Sequence, residues 1–134
     1  MTERRNFSSG GPWEDLAAYS RAVRVGPFVY ISGTTAIGVG GKLVGIGDAY
    51  AQTKQILKTI EASLIKTGAS LEDVVRARVY VTDIAEAEKV CSALREVFHH
   101  IRPTSTLVEV KGLIMPEMLV EIECDALISS ESDF

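Results

Sequence analysis

The chain has only two cysteines, Cys91 and Cys124, in 134 residues. With no set of four or six, a disulfide-stapled secreted domain is not expected, and two reduced thiols in a cytoplasmic protein is the simpler reading. Nowhere does an apolar run approach the ~18 residues that a membrane span needs. The opening residues, Met1-Thr2-Glu3-Arg4-Arg5-Asn6, are followed by no apolar stretch, so no secretory signal is expected. Positive charge is not in excess: 14 Lys and Arg stand against 18 Asp and Glu, a net charge of −4. Without a basic stripe or an aromatic-basic platform, a nucleic-acid partner is disfavoured. Five glycines lie between Gly38 and Gly47, but the stretch lacks the Lys-Ser/Thr ending of a phosphate loop and reads as turns. There is no nucleophile elbow. His99 and His100 are adjacent, so on a helix their rings point about 100° apart, with no third ligand at useful spacing. Neither metal nor cofactor is therefore expected.

What is present is ordinary globular material, 46 % apolar and 24 % charged, in a chain long enough to bury one core. We read residues 1–134 as a single domain with residues 1–16 as an N-terminal arm or loop, rich in Ser, Gly and Pro around Trp13. Tyr19 to Val25 and Phe28 to Gly33 read as strands flanking a Gly26-Pro27 turn, and Lys42-Leu43-Val44 as a short third strand. Thr53, Ile56, Leu57, Ile60 and Leu64 recur at helical spacing, with Asp48 as N-cap and Gly68 as the stop. Val75, Ala77, Val79 and Val81 alternate with polar residues as in a half-buried strand. Ala87, Val90, Cys91, Leu94, Val97, Phe98 and Ile101 mark a second helix, which Pro103 ends. Two further strands follow, around Thr106–Val110 and Met118–Ile128. The order β-β-β-α-β-α-β-β predicts an α+β fold, a mixed sheet with two helices on one face. Leu107 beside Val108 and Leu119 beside Val120 put apolar side chains on both faces of the late strands, which points to a second chain covering the other face.

Three groups could carry chemistry. Glu121, Glu123 and Asp125 alternate along the last strand and point the same way. They form either a solvated face or a set of carboxyls that raise one another's pKa for acid–base work. Cys91 lies within an apolar helical stripe, where packing is the better reading. The two histidines read as a helix C-terminus favoured by the macrodipole.

Four segments together resemble the RidA/YjgF family: Tyr19-Ser20-Arg21-Ala22-Val23, Val29-Tyr30-Ile31-Ser32-Gly33, Asp73-Val74-Val75 with Val79-Tyr80-Val81-Thr82-Asp83, and Arg102-Pro103 through Val108-Glu109-Val110 into Leu119-Val120-Glu121-Ile122-Glu123. The resemblance spans residues 17–127. It implies a chorismate-mutase-like fold and a homotrimer with ligand clefts between subunits. Members that are enzymes hydrolyse reactive imines and enamines to 2-oxo acids and ammonia without metal or cofactor. The resemblance implies that Glu121 orients water, Tyr19 lines the cleft and Ser32 supplies polar contacts. It carries Ser105, Thr106 and Cys91 over as further substrate contacts.

Here the sequence also departs from its relatives. The family's arginine sits in a Pro-Ala-Arg-Ser type run; the run here is Pro103-Thr104-Ser105-Thr106, with Ser105 at the arginine's place. Removing one charge-assisted partner of a buried carboxylate costs about 2–5 kcal/mol. Cys91 stands where many deaminase members carry asparagine, and the Gly112–Glu117 turn has one extra residue. Arg21 and Arg102 are the candidates to restore the missing charge. The readings carried forward are an imine or enamine hydrolase with a non-standard site, and a non-catalytic trimer that binds small molecules. A ribonuclease or translation inhibitor is disfavoured by the charge.

Overall fold

The computed structural model describes residues 3–129. Six strands form one sheet: β1 (Arg4–Phe7), β2 (Ala22–Val25), β3 (Phe28–Thr34), β4 (Val74–Val81), β5 (Thr104–Glu109) and β6 (Val120–Leu127). Three helices accompany them: α1 (Pro12–Ala17), α2 (Ala49–Thr67) and α3 (Ala87–Phe98). The strand order is β1-β2-β3-β6-β4-β5. All neighbours are antiparallel except β4 and β5. That parallel pair needs a crossover, and α3 provides it. Among the described residues no helix is long and apolar enough to cross a membrane.

The α2 stripe behaves as its spacing predicts. Thr53, Ile56, Leu57, Ile60 and Leu64 are buried, while Lys58 and Glu61 face solvent. Each large aliphatic side chain so buried contributes about 1.5–3 kcal/mol. Asp48 accepts the Ala51 N–H at 3.0 Å as N-cap. Gly68 ends the helix at φ 93°, a conformation that favours glycine. Beneath α2 and α3, one parity of the central strands makes the core, with Val29, Ile31, Val79, Val81, Ile122 and Cys124 almost fully buried. The opposite parity carries Tyr30, Arg78, Tyr80, Glu121, Glu123 and Asp125, all partly or largely accessible.

Two expectations change. The strand expected at Lys42–Val44 is only a single bridge, Ile37 to Leu43. Glycines at left-handed φ on both sides of it (Gly40, Gly41, Gly45 and Gly47) keep the segment looping and prevent a ladder. The sixth strand is instead β1, within the expected arm, which pairs with β2 from Arg4–Val25 to Phe7–Ala22. Residues 12–17 of that region are helical, started by Pro12 in the first turn, where a missing N–H costs nothing.

Loop 38–47 and the 112–117 turn are tied to α2 by Gln52, which is fully buried. Its amide donates to the Gly45 and Glu117 carbonyls at 3.1 and 3.0 Å and accepts the Leu119 N–H at 2.9 Å. A buried polar side chain survives only when its groups are paired in this way.

Candidate functional site

Glu121 differs from its two neighbours of the same parity. Register sets Arg78 opposite Glu123, and Tyr80 opposite Glu121. Arg78 Nη1 lies 3.4 Å from both Glu123 and Asp125, and the Tyr80 hydroxyl donates to Glu123 at 2.5 Å. Those two carboxylates are therefore committed to cross-strand pairs. Glu121 makes no side-chain hydrogen bond or ion pair among the described residues. Burial pushes its pKa above the ordinary glutamate value; the Arg21 charge pulls against that and Glu123 adds to it.

The seat for Glu121 is a break in β3. The β3–β6 register shifts between Ile31 and Thr34, so Ser32 and Gly33 bulge away from the ladder. Arg21 holds the bulge: its Nη2 donates to Ser32 O (2.6 Å), Gly33 O (3.0 Å) and Thr34 Oγ1 (2.8 Å). Gly33 then offers a bare Cα to the carboxyl. A Cβ added there would lie 2.3 Å from Glu121 Oε2. The Ser32 hydroxyl donates to Ser20 O at 2.6 Å, which leaves its lone pairs available.

Tyr19 arrives from the end of α1. Ala18 adopts left-handed φ 57°, and the Tyr19 N–H returns to Glu14 O at 2.9 Å. The ring is 44 % exposed and stands in the field of Arg21. Burial lowers the Arg21 pKa, while Tyr19, Glu14 and Glu121 pull it back up. Arg21 Nε is buried without a partner among the described residues.

Sequence reasoning gave Glu14 no role. It is buried, accepts a hydrogen bond from the Ser8 hydroxyl at 2.8 Å and is bonded by the Ser9 hydroxyl and N–H. Burial works against its charge, but the serine bonds outweigh it and hold the pKa below the ordinary value. The only trace of this in the sequence is two serines five and six residues ahead of the glutamate.

Cys91, Ser105 and Arg102 meet elsewhere. They line a cavity of about 350 Å³ with Ala77, Leu94, Arg95, Phe98, His99 and Pro103. Ser105 pairs with Ala77, a core residue, so it points toward the helix side of the sheet, whereas Glu121 points to the opposite side. Thr106 lies opposite Arg78 and shares the Glu121 side. One chain thus separates the candidates into two half-sites on opposite faces.

Cys91 is exposed, not packed as its place in the stripe suggested. The buried strip of α3 runs through Val90, Ala93 and Phe98, and Cys91 falls a helical step to its side, over the cavity. A wider hollow of about 630 Å³ lies between the start of α2 and α3, lined by Gly47, Asp48, Tyr50, Glu88, Lys89 and Ser92. It is open and touches none of the candidate residues. His99 and His100 pack edge to face at 4.7 Å and are exposed.

Known proteins share this fold and much of this sequence. Residues 13–128 match the family model described as Endoribonuclease L-PSP. A Streptomyces coelicolor protein is 38 % identical over 122 residues, 91 % of this chain and 90 % of its own. The 3-aminoacrylate deaminase RutC of Acinetobacter baylyi is 36 % identical over 107 residues, 80 % of this chain and 84 % of its own. Among solved structures, a Mycobacterium tuberculosis member of the YjgF/YER057c/UK114 family superposes with a TM-score of 0.86 at 45 % identity, covering 94 % of this chain and all of that one.

Proposed function

The chain belongs to the Endoribonuclease L-PSP family, the YjgF/RidA group, and from that premise we propose that it hydrolyses small reactive imines or enamines. The cleft would form between two copies in a homotrimer: Tyr19, Ser32 and Glu121, with Thr106 on their face of the sheet, from one, and Cys91, Ser105 and Arg102 from its neighbour. Glu121 carries this reading. It is the one carboxyl of its row with no side-chain hydrogen bond or ion pair among the described residues, and burial raises its pKa above the ordinary glutamate value, as suits a group that gives and takes a proton.

The chemistry needs a group that can give and take a proton. An enamine gains a proton at carbon and becomes an iminium. Water then adds to the iminium carbon, forming the C–O bond as the C=N π bond breaks, and gives up a proton to Glu121. Glu121 returns the proton to nitrogen, and the C–N bond breaks as the C=O π bond forms; ammonia leaves, the hydroxyl gives its proton to solvent, replacing the one taken up at carbon, and a carbonyl compound remains. The RutC relative is by name a deaminase of 3-aminoacrylate, an enamine acid, which supports this reaction class.

Ser105 can hydrogen-bond a substrate carboxylate but brings no charge. Arg102 lines the same cavity and takes over that role. Arg21 does not, because its Nη2 is occupied by the bulge. We expect Arg102→Gln to lower kcat/KM for carboxylate-bearing imines by about 30-fold or more, the loss of one charge-assisted partner. The direct test generates 2-imino acids with an amino-acid oxidase and follows trapping by semicarbazide. Lowered trapping by this protein supports the reading; unchanged trapping across several amino acids, and across 3-aminoacrylate followed separately, contradicts it.

Ser105 in the arginine's place also favours a second reading, a trimer that binds a small molecule without turning it over. A ligand that raises the melting temperature and is recovered intact would distinguish it.

A further inference from the structure

The cavity under α3 holds more positive charge than a single carboxylate needs. Arg95 and Arg102 both line it, with His99 beside them, and its lining contains no aspartate or glutamate. Arg95 and His99 are four residues apart, neighbours on one side of the helix end. Arg102 is brought beneath them by a left-handed turn, φ 52°, which is unusual for a residue other than glycine. Its Nε donates to the His99 carbonyl at 3.0 Å. That bond fixes the guanidinium and leaves its Nη1–Nη2 edge for a forked contact. It also covers one of the helix-end carbonyls that would repel an anion. Neither Arg95 nor Arg102 makes an ion pair among the described residues, whereas Lys54, Arg78 and Lys89 do. Leu94, Phe98 and Pro103 give the wall an apolar side, and about 350 Å³ is at the small end of ligand sites.

We propose that this cleft takes a small molecule with two anionic groups, a short dicarboxylate, held by Arg102 at one end and Arg95 at the other. The inference rests on the cleft being the substrate site as read above, and it narrows the substrate class to doubly charged acids. The Leu94–Phe98 wall then covers the short carbon chain between the two charges.

Binding is measured by isothermal titration of the assembled protein with succinate and with butyrate at fixed ionic strength. Succinate should bind at least about tenfold more tightly, the worth of one further charge-assisted contact. Arg95→Gln should bring succinate down to the butyrate level, and Arg95→Lys should restore part of the preference. The Arg95 side chain is exposed, so both variants should keep the parent melting temperature and oligomer mass. Equal binding of the two acids, or no binding of succinate, would overturn the proposal. So would an Arg95→Gln protein that keeps the preference or loses oligomer mass, since the arginine would then serve an interface. A succinate preference without imine turnover would leave this inference standing and refute the hydrolase reading. Turnover without the preference would do the reverse.

Discussion

Replacing Gly33 by alanine separates the seating of Glu121 from the stability of the fold. The new Cβ would meet Glu121 Oε2 at 2.3 Å, Cδ at 3.1 Å and Cγ at 3.5 Å. Ordinary contact lies near 3.5 Å, so the carboxyl oxygen must retreat by roughly an ångström. Gly33 does not have a left-handed φ, so alanine brings no backbone penalty there. The clash falls on the far end of a flexible side chain that no partner holds, and rotation about its own bonds relieves it. The stability cost should therefore be small, about 1 kcal/mol or less. The effect on chemistry should be large, because misplacing a reacting group by about 1 Å costs on the order of 100-fold in rate. We expect a Gly33→Ala protein whose melting temperature stays within a few degrees of the parent and whose kcat/KM in the semicarbazide assay falls by about two orders of magnitude. Full activity with an unchanged melting curve would refute the placement of Glu121 at the reacting centre. Collapse of the fold would show that the bulge, and not the carboxyl, depends on this glycine.

Other perturbations follow from the same structure. Glu121 has a raised pKa, so the folded state holds its proton more tightly than the unfolded state does. The stability this brings is fully present below the unfolded glutamate value and is lost as pH rises through the folded one. Glu121→Gln should therefore melt higher than the parent near pH 7, with the gap shrinking toward pH 4; a pH-independent gap would contradict the assignment. A disulfide reagent should titrate one thiol per native chain, the exposed Cys91, and two after unfolding, because burial pushes the Cys124 thiol up to about 12. Gln52→Leu would strand the Gly45 and Glu117 carbonyls and the Leu119 N–H, and should lower the unfolding free energy by about 2–4 kcal/mol in urea.

The parts legible in the sequence are those where one period dominates. The α2 stripe and the Ala77–Val81 alternation carry a strong pattern because each element has one buried side; Val75, expected on that side, is exposed and Val74 is buried instead, because the β4–β6 register shifts between Val74 and Arg76. β1 was not legible, since Arg4-Arg5-Asn6-Phe7 presents no apolar alternation and joins the sheet through its backbone. α1 has only six residues between glycines and an alanine cap, too short for a helical period to register. Spacing on β6 put Glu121, Glu123 and Asp125 in one row but could not rank them. The ranking depends on Arg78 and Tyr80, which only the β4–β6 register brings alongside. Cys91 shows the converse: a stripe of seven apolar positions is wider than the strip the sheet covers, so its edge residue stays in solvent.

The proposed cleft needs half-sites from two different chains to work as one. Glu121→Gln damages one half and Arg102→Gln the other, so each variant alone should have little activity. In a ring of head-to-tail contacts, equal co-expression of the two should give about a quarter of the clefts both intact halves. Light scattering should report about three times the 14.5 kDa chain mass, and the mixed assembly should recover roughly 25 % of parental turnover. Mixed assemblies no more active than the separate variants would contradict a cleft shared between chains.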